Sequence, residues 1–248
     1  MTAREIRERA WSKLGENGGW NAAFGGFVLS FLVSFGINAL TRSLCGMNTF
    51  AQMVQKMQAG TLAQEEVINA LPGFLGGMFV VMLVAYYVKA VFHYGLSALS
   101  IAVMRGGARI GHAFSGFGKG WSTLWLMALA HLYIFCWTLL FVIPGIRAAF
   151  SYALIYLVKA DHPDWDADRC IGESKRLMEG NRWRYFCFCL SFLGWCILGV
   201  LTFGLAFLVV IPYFNVAQAA FYEELLDRDA ATLNQGGWED GRPYDQIG

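Results

Sequence analysis

From Tyr185 to Tyr222 the chain carries no Asp, Glu, Lys or Arg. A helix of about 20 apolar residues crosses the hydrocarbon of a bilayer, so this run is long enough to cross twice and has to fold back. Thr202-Phe203-Gly204 is the one place in it that reads as a turn. Composition agrees: 56% of the 248 residues are hydrophobic and only 15% charged, where a soluble domain has about 25% charged. The bilayer is therefore the expected solvent, and disorder, collagen, a coiled coil and a disulfide-built module are excluded.

Shorter apolar runs precede this one. Their ends predict an all-α, multi-pass transmembrane bundle with six spans, at about 20–41, 72–92, 121–143, 145–160, 184–202 and 204–226. The last pair flanks the turn, and Pro144-Gly145 separates the third from the fourth. An uncleaved first span is expected rather than a signal peptide, because further apolar runs follow it. Around the spans lie an N-terminal amphipathic helix in 1–19, an outer loop in 42–70, cytoplasmic segments in 94–120 and 161–183, and a disordered tail in 227–248. The weakest span is the fourth: Arg147 and Lys159 leave only about 17 Å of uncharged helix between them, so both ends would have to snorkel. In the outer loop, Thr61 to Gln64 reads as the start of a short surface helix.

Basic residues sort by side. With the N-terminus inside, fifteen of the 19 Lys and Arg fall in cytoplasmic segments. Arg42 and Lys56 fall in the outer loop, and Lys89 and Arg147 near span ends. This one-sidedness predicts six crossings with both termini cytoplasmic. The net charge of +1 gives no field for nucleic acid, and none is expected as a partner.

Each pair of spans has a similar lead-in. Ile6, Ala10 and Leu14 make one face of a helix that ends at Leu14-Gly15-Glu16-Asn17-Gly18-Gly19-Trp20. Cys170, Ile171, Ser174, Leu177 and Met178 make a similar face, ending at Leu177-Met178-Glu179-Gly180-Asn181-Arg182-Trp183. Both read L-x-E-x-x-x-W, and both lead to Leu-Ser-Phe-Leu in the span, at Leu29 and at Leu190. Phe117-Gly118-Lys119-Gly120-Trp121 opens the middle pair. The pattern predicts three modules, each an interfacial helix ended by Gly or Asn, a Trp anchor and a helical hairpin.

Several of these stretches together carry a resemblance. They are Arg105-Gly106 with Phe114-Ser115-Gly116-Phe117, then Ile143-Pro144-Gly145-Ile146, then Ser174, Leu177-Met178, Gly180-Asn181 and Trp183. Leu190-Ser191-Phe192-Leu193-Gly194-Trp195, Gly199, Leu201-Thr202, Gly204, Pro212-Tyr213 and Ala220-Phe221-Tyr222 complete the set. The combination resembles the bacterial integral membrane proteins grouped as domain-of-unknown-function family 975, over about Arg4 to Leu226 and best from Arg105 onward. The chain departs from the pattern at His112 and Ala113, where an acidic residue is often found. The resemblance implies a prokaryotic multi-pass protein of the plasma (inner) membrane and implies no activity.

Candidate functional residues are few. His131 lies about 15 Å beyond Trp121, near the midplane, where an ionisable side chain is a functional candidate. Asn215 and Gln218 sit one turn apart just after Pro212, which frees the Leu208 carbonyl. With Tyr152 they form a candidate polar intramembrane site for a solute or proton. Lys175, Arg176, Arg182 and Arg184 are candidate contacts for anionic lipid headgroups. Lys89 is expected near the inner interface, reaching it by snorkelling. Ala22, Gly26, Ser30, Ser34 and Asn38 recur every four residues, a small-residue stripe expected to pack inside the bundle. Asp164 or Asp166 is expected to cap a helix. The six Cys lie mostly in apolar runs and read as small hydrophobes. No catalytic or phosphate-binding motif occurs.

The expectation is a non-enzymatic membrane component, structural or accessory, without cofactor. It would contact the lipid bilayer and its anionic phospholipid headgroups, with a protein partner or a second copy as further candidates. A small-solute or ion transporter is the alternative, and a membrane-embedded lipid enzyme the third reading.

Overall fold

Thr2 caps the first helix, α1 (Ala3–Gly15): its hydroxyl accepts from the Glu5 amide while the Glu5 carboxylate accepts from the Thr2 amide (2.8 Å). Ile6, Ala10 and Leu14 are buried as their spacing requires. The structure, a computed structural model, describes residues 2–16, 18–44, 55–59, 64–140 and 142–235. Among these, every regular element is helical. After α1 come α2 (Gly19–Leu44), α3 (Gln64–Met104), a 3-10 segment (Ile110–Lys119), α4 (Gly120–Leu140) and α5 (Val142–Ser151). Then follow α6 (Ile155–Asp161), α7 (Ala167–Met178), α8 (Arg182–Leu190), α9 (Leu193–Leu201) and α10 (Phe207–Gln235).

Four helical stretches among the described residues are long and apolar enough to cross a membrane: Gly19–Ser43, Leu71–Met104, Ile110–Leu139 and Arg182–Leu201. Two expected boundaries move. Pro72 lies inside α3 without ending it, and nothing between Phe92 and Met104 breaks the helix, so α3 continues where a cytoplasmic segment was expected. The surface helix expected before Pro72 is merged into α3 from Gln64, while Thr61 lies outside the described residues.

Residues 145–160, expected as one span, form two shorter helices. α5 ends at Ser151, a turn covers 152–154, and α6 begins at Ile155. Lys159 does not snorkel. It is 2% exposed, and its ammonium donates to the Trp165 carbonyl (2.5 Å). Apolar spacing alone does not reveal such a break, because Ala148 in the first half and Ile155 to Val158 in the second are both buried. The segment expected at 184–202 is also divided, at Ser191 and Phe192. Arg7 of α1 donates to the freed Ser191 carbonyl (2.8 Å), which supplies a partner that the helix no longer provides.

The turn expected after Leu201 is present. Phe203 (φ 51°) and Gly204 (φ 93°) are both left-handed, and the Gly204 amide donates to the Gly199 carbonyl (2.8 Å). The tail is ordered further than expected, since α10 runs to Gln235 and residues 236–248 lie outside the described residues.

The two L-x-E-x-x-x-W sequences fold alike at their first half. Glu16 and Glu179 are the C-caps of α1 and α7, both extended, and each is followed by a left-handed glycine, Gly18 (φ 74°) and Gly180 (φ 73°). Leu14 and Leu177 are buried beneath them. Phe117-Gly118-Lys119-Gly120-Trp121 differs, because the chain passes from the 3-10 segment into α4 without a loop.

Burial is uneven along the molecule. A packed core joins α1, the starts of α2 and α4, the end of α3, α6, α7 and the middle of α10. The far ends of α2, α3, α4 and α9 expose Phe35, Phe79, Leu139 and Leu201, and Phe203 at the last turn is fully exposed. α2 and α3 run antiparallel. Gly19 shares a cleft with Val103 and Gly106, and Gly26 lies against Leu99 and Ala113. The 3-10 segment lies along α3 at glycine contacts, with Gly95 against the Ala113 carbonyl and Gly116 against the Val91 carbonyl.

Candidate functional site

The core end of the bundle carries its charge in pairs. Arg105, at the end of α3, donates to Asp161 (2.6 Å) and Glu223 (2.9 Å), and the Tyr222 hydroxyl donates to the same Asp161 (3.1 Å). Arg176 of α7 bridges Glu173 (2.7 Å) and both oxygens of Asp229 (2.8 and 2.9 Å). Arg184 grips Glu224 through two 2.9 Å hydrogen bonds, and Arg228 adds a third contact at 2.7 Å. The hydrogen bond that Arg105 donates to Asp161 raises the guanidinium above its ordinary pKa. The one from Arg176 holds the Asp229 carboxyl below the usual range. Burial pushes the Cys170 thiol up to about 11.

This pairing changes how the four basic candidates read. Arg176 and Arg184 are occupied by Asp229 and Glu224, and Arg182 donates to the Ser151 hydroxyl (2.8 Å). Lys175 is exposed and makes no ion pair among the described residues. Asp229 and Glu224 are remote in sequence from Arg176 and Arg184, so local charge counting does not find these two pairs. The acidic stretch after α6 likewise serves the pairs more than a cap. Asp166 occupies the N-cap position of α7 without a side-chain cap bond, while Asp164 pairs with Lys119 (3.0 Å).

Three of the four residues expected to form a polar intramembrane site have separate partners. Nδ1–H of His131 donates to the Met127 carbonyl of its own helix (2.8 Å), and the ring stands edge-on to Tyr86. Tyr152 is buried beside Tyr133. Gln218 donates to the Ala153 carbonyl (3.0 Å) and to the Tyr185 hydroxyl (2.9 Å), which ties α10 to the turn after α5 and to α8. Asn215 is half-buried and makes no hydrogen bond among the described residues. No hydrogen bond or ring contact described joins two of the four.

Two of the cavities among the described residues lie elsewhere. One, of about 790 Å³, opens between α1 and the α9–α10 pair and is lined by Arg4, Arg7, Glu8, Trp11, Ser12, Trp195 and Tyr213. Trp11 stands edge-on to both Trp20 and Tyr213, and the Tyr213 hydroxyl donates to the Arg7 carbonyl (3.1 Å). Aromatic rings beside guanidinium groups make an amphipathic groove of the kind that sits at headgroup level. The second cavity, of about 290 Å³, is a slot between α2 and α3. Phe27, Phe31, Phe92, Ala85, Val88 and Leu96 wall it, and Ser30, Ser34, Asn38, Lys89 and His93 bring polar groups to it.

The small-residue stripe therefore does two things. Ala22, Gly26 and Ser30 are buried in the packing of α2, and Ser30, Ser34 and Asn38 line the slot. Lys89, expected near the inner interface, is exposed and lies two residues before Val91, whose carbonyl packs against Gly116. Since α2 begins beside Val103, Lys89 lies about 21 Å further along α3 from that level. The spacing of Lys89 and His93, one turn apart and in phase with the stripe, is the signal that could have found the slot from sequence.

A family model described as a protein of unknown function (DUF975) matches residues 66–229. The stretch from Arg4 to Glu65, included in the resemblance read from sequence, falls outside that match. No curated protein and no solved structure matches the chain.

Proposed function

We propose, for a chain that belongs to the DUF975 family, the role of a non-catalytic component of the bacterial plasma membrane whose charged end rests on anionic lipid headgroups. The observation that carries this reading is the distribution of surface. Large apolar side chains are exposed at the far ends of α2, α3, α4 and α9, while ion pairs and the Arg4–Arg7–Trp11 groove gather at the other end. Apolar exposure of this kind marks a face meant for something other than water.

In this reading the four apolar stretches cross the bilayer, and the α5–α6 pair and the first half of α10 complete six crossings as three hairpins. The polar end and both termini are cytoplasmic, in keeping with the sorting of Lys and Arg. Lys175 and Arg4, the latter in a fully exposed pair with Glu8 (2.7 Å), supply the headgroup contacts, since Arg176 and Arg184 are held in partly buried pairs. The solute-transport reading has less support, because Gln218 is spent on holding three segments together.

The test compares the purified protein in nanodiscs of phosphatidylcholine and of phosphatidylcholine with phosphatidylglycerol. The anionic discs should raise Tm, high salt should remove the gain, and Arg4→Gln with Lys175→Gln should reduce it. Equal Tm in both lipids at low salt would refute the proposal.

A further inference from the structure

We propose that the groove between α1 and the α9–α10 pair seats one anionic glycerophospholipid, its phosphodiester on Arg7 and its chains along the seam between α9 and α10.

Arg7 is half-buried, lines the groove and makes no ion pair among the described residues. Other arginines at this end face carboxylates: Arg9 meets Asp227 (3.5 Å), Arg105 meets Asp161, Arg176 meets Asp229 and Arg184 meets Glu224. Arg7 instead spends one N–H on the Ser191 carbonyl (2.8 Å), and its guanidinium carbon lies 6.0 Å from the centre of the Phe192 ring. These contacts hold the guanidinium in place without neutralising it. Glu8, the acid in the lining, is matched by Arg4 (2.7 Å). The lining therefore keeps one net positive charge, on Arg7. Its hydroxyls are already satisfied, since Tyr213 donates to the Arg7 carbonyl (3.1 Å) and Ser12 to the Arg9 carbonyl (2.9 Å). A guanidinium with N–H groups to spare takes an oxyanion on its fork, and a singly ionised phosphodiester matches the one charge.

The remaining walls suit the chains that such a head carries. Tyr213 stands edge-on to Trp11 and Trp195, with centroids 5.3 and 6.2 Å apart, and all three rings line the groove. Ser191, Trp195 and Leu198 follow one another toward the turn at Phe203, and Val209 lies one turn from Tyr213 on the same side. By helical spacing, Leu198 and Val209 continue the faces of Trp195 and Tyr213 away from Arg7. Both are 43% exposed. A bare anion would leave this apolar track uncovered, whereas an acyl chain covers it. A volume of about 790 Å³ admits a headgroup and the upper part of its chains. The site gives the headgroup reading a stoichiometric ligand, and it rests on that reading for the placement of α1 at the membrane surface.

The experiment uses the full chain in a non-ionic detergent, titrated separately with dioleoyl phosphatidylglycerol, with dioleoyl phosphatidylcholine and with sodium phosphate, reading bound ligand by native mass spectrometry and Tm. Phosphatidylglycerol should bind one to one and raise Tm. Phosphatidylcholine, whose ammonium cancels the charge that Arg7 answers, should bind about tenfold more weakly. Arg7→Gln should weaken phosphatidylglycerol by about tenfold. Ser12→Phe fills the groove from an exposed helix position without removing a charge; it should weaken the lipid comparably and keep the parent's Tm in its absence. Arg9→Gln, outside the lining, should bind like the parent. Equal binding of the two lipids, either groove variant binding like the parent, or phosphate alone binding as tightly as the lipid overturns the site. Lys175→Gln separates the two proposals, since it should reduce the nanodisc effect and leave one-to-one binding intact. A nanodisc Tm gain without one-to-one binding overturns the site and leaves the headgroup reading standing.

Discussion

Asp229 shows how a single side chain ties the C-terminal helix to α7. Both its oxygens accept from Arg176, and this holds its carboxyl below the ordinary carboxylate range. A carboxyl depressed on folding stabilises the fold above its unfolded pKa, and that stabilisation is lost as pH falls through the lowered value. Asp229→Asn should therefore lower Tm at pH 7 by the equivalent of at most about 1 kcal/mol, because the pair is partly exposed and screened by solvent. The deficit should shrink toward zero as the pH falls below about 4. A Tm gap between variant and parent that stays constant across that range would show that the pair is not its source. Arg176 also shows what sequence reading misses at this scale. Its basic character and its neighbour Glu173 are visible, but Asp229 comes to it from an element whose position only the fold determines.

Glycines set the approach of α3 to the 3-10 segment. A Cβ on Gly95 would meet the backbone carbonyl of Ala113, and one on Gly116 the carbonyl of Val91. Backbone cannot rotate aside as a flexible side chain can, so Gly95→Ala and Gly116→Ala should each destabilise the protein by about 1–3 kcal/mol. Gly73→Ala, where nothing lies within reach, should have no such cost. Thermal unfolding in one detergent compares all three, and equal losses would contradict the packing described. Among the elements, those with uninterrupted apolar runs were legible before the structure: α2, α4 and the turn at Phe203-Gly204. The division of 145–160 was not, because both α5 and α6 keep apolar faces and Lys159 is accommodated by a carbonyl instead of water. Pro72 misled in the other direction, because a proline inside an exposed, apolar helix does not have to end it.

At the scale of the molecule, one end is packed and ion-paired and the other splays into exposed apolar helices. The sorting of basic residues already pointed to a polar end. The slot was only half legible, since its stripe of small residues reads equally well as packing, and only the antiparallel register of α2 with α3 brings Lys89 to it. The central claim is that this polar end faces the cytoplasm while the apolar ends cross the membrane. It is tested most directly with single cysteines in a cysteine-free background, at Thr202 in the far turn and at Asp164 beside the ion pairs, using a membrane-impermeant maleimide on intact spheroplasts. Thr202→Cys should label in intact cells and Asp164→Cys only after lysis; Asp164→Cys labelling from outside, with Thr202→Cys protected until lysis, would contradict the account.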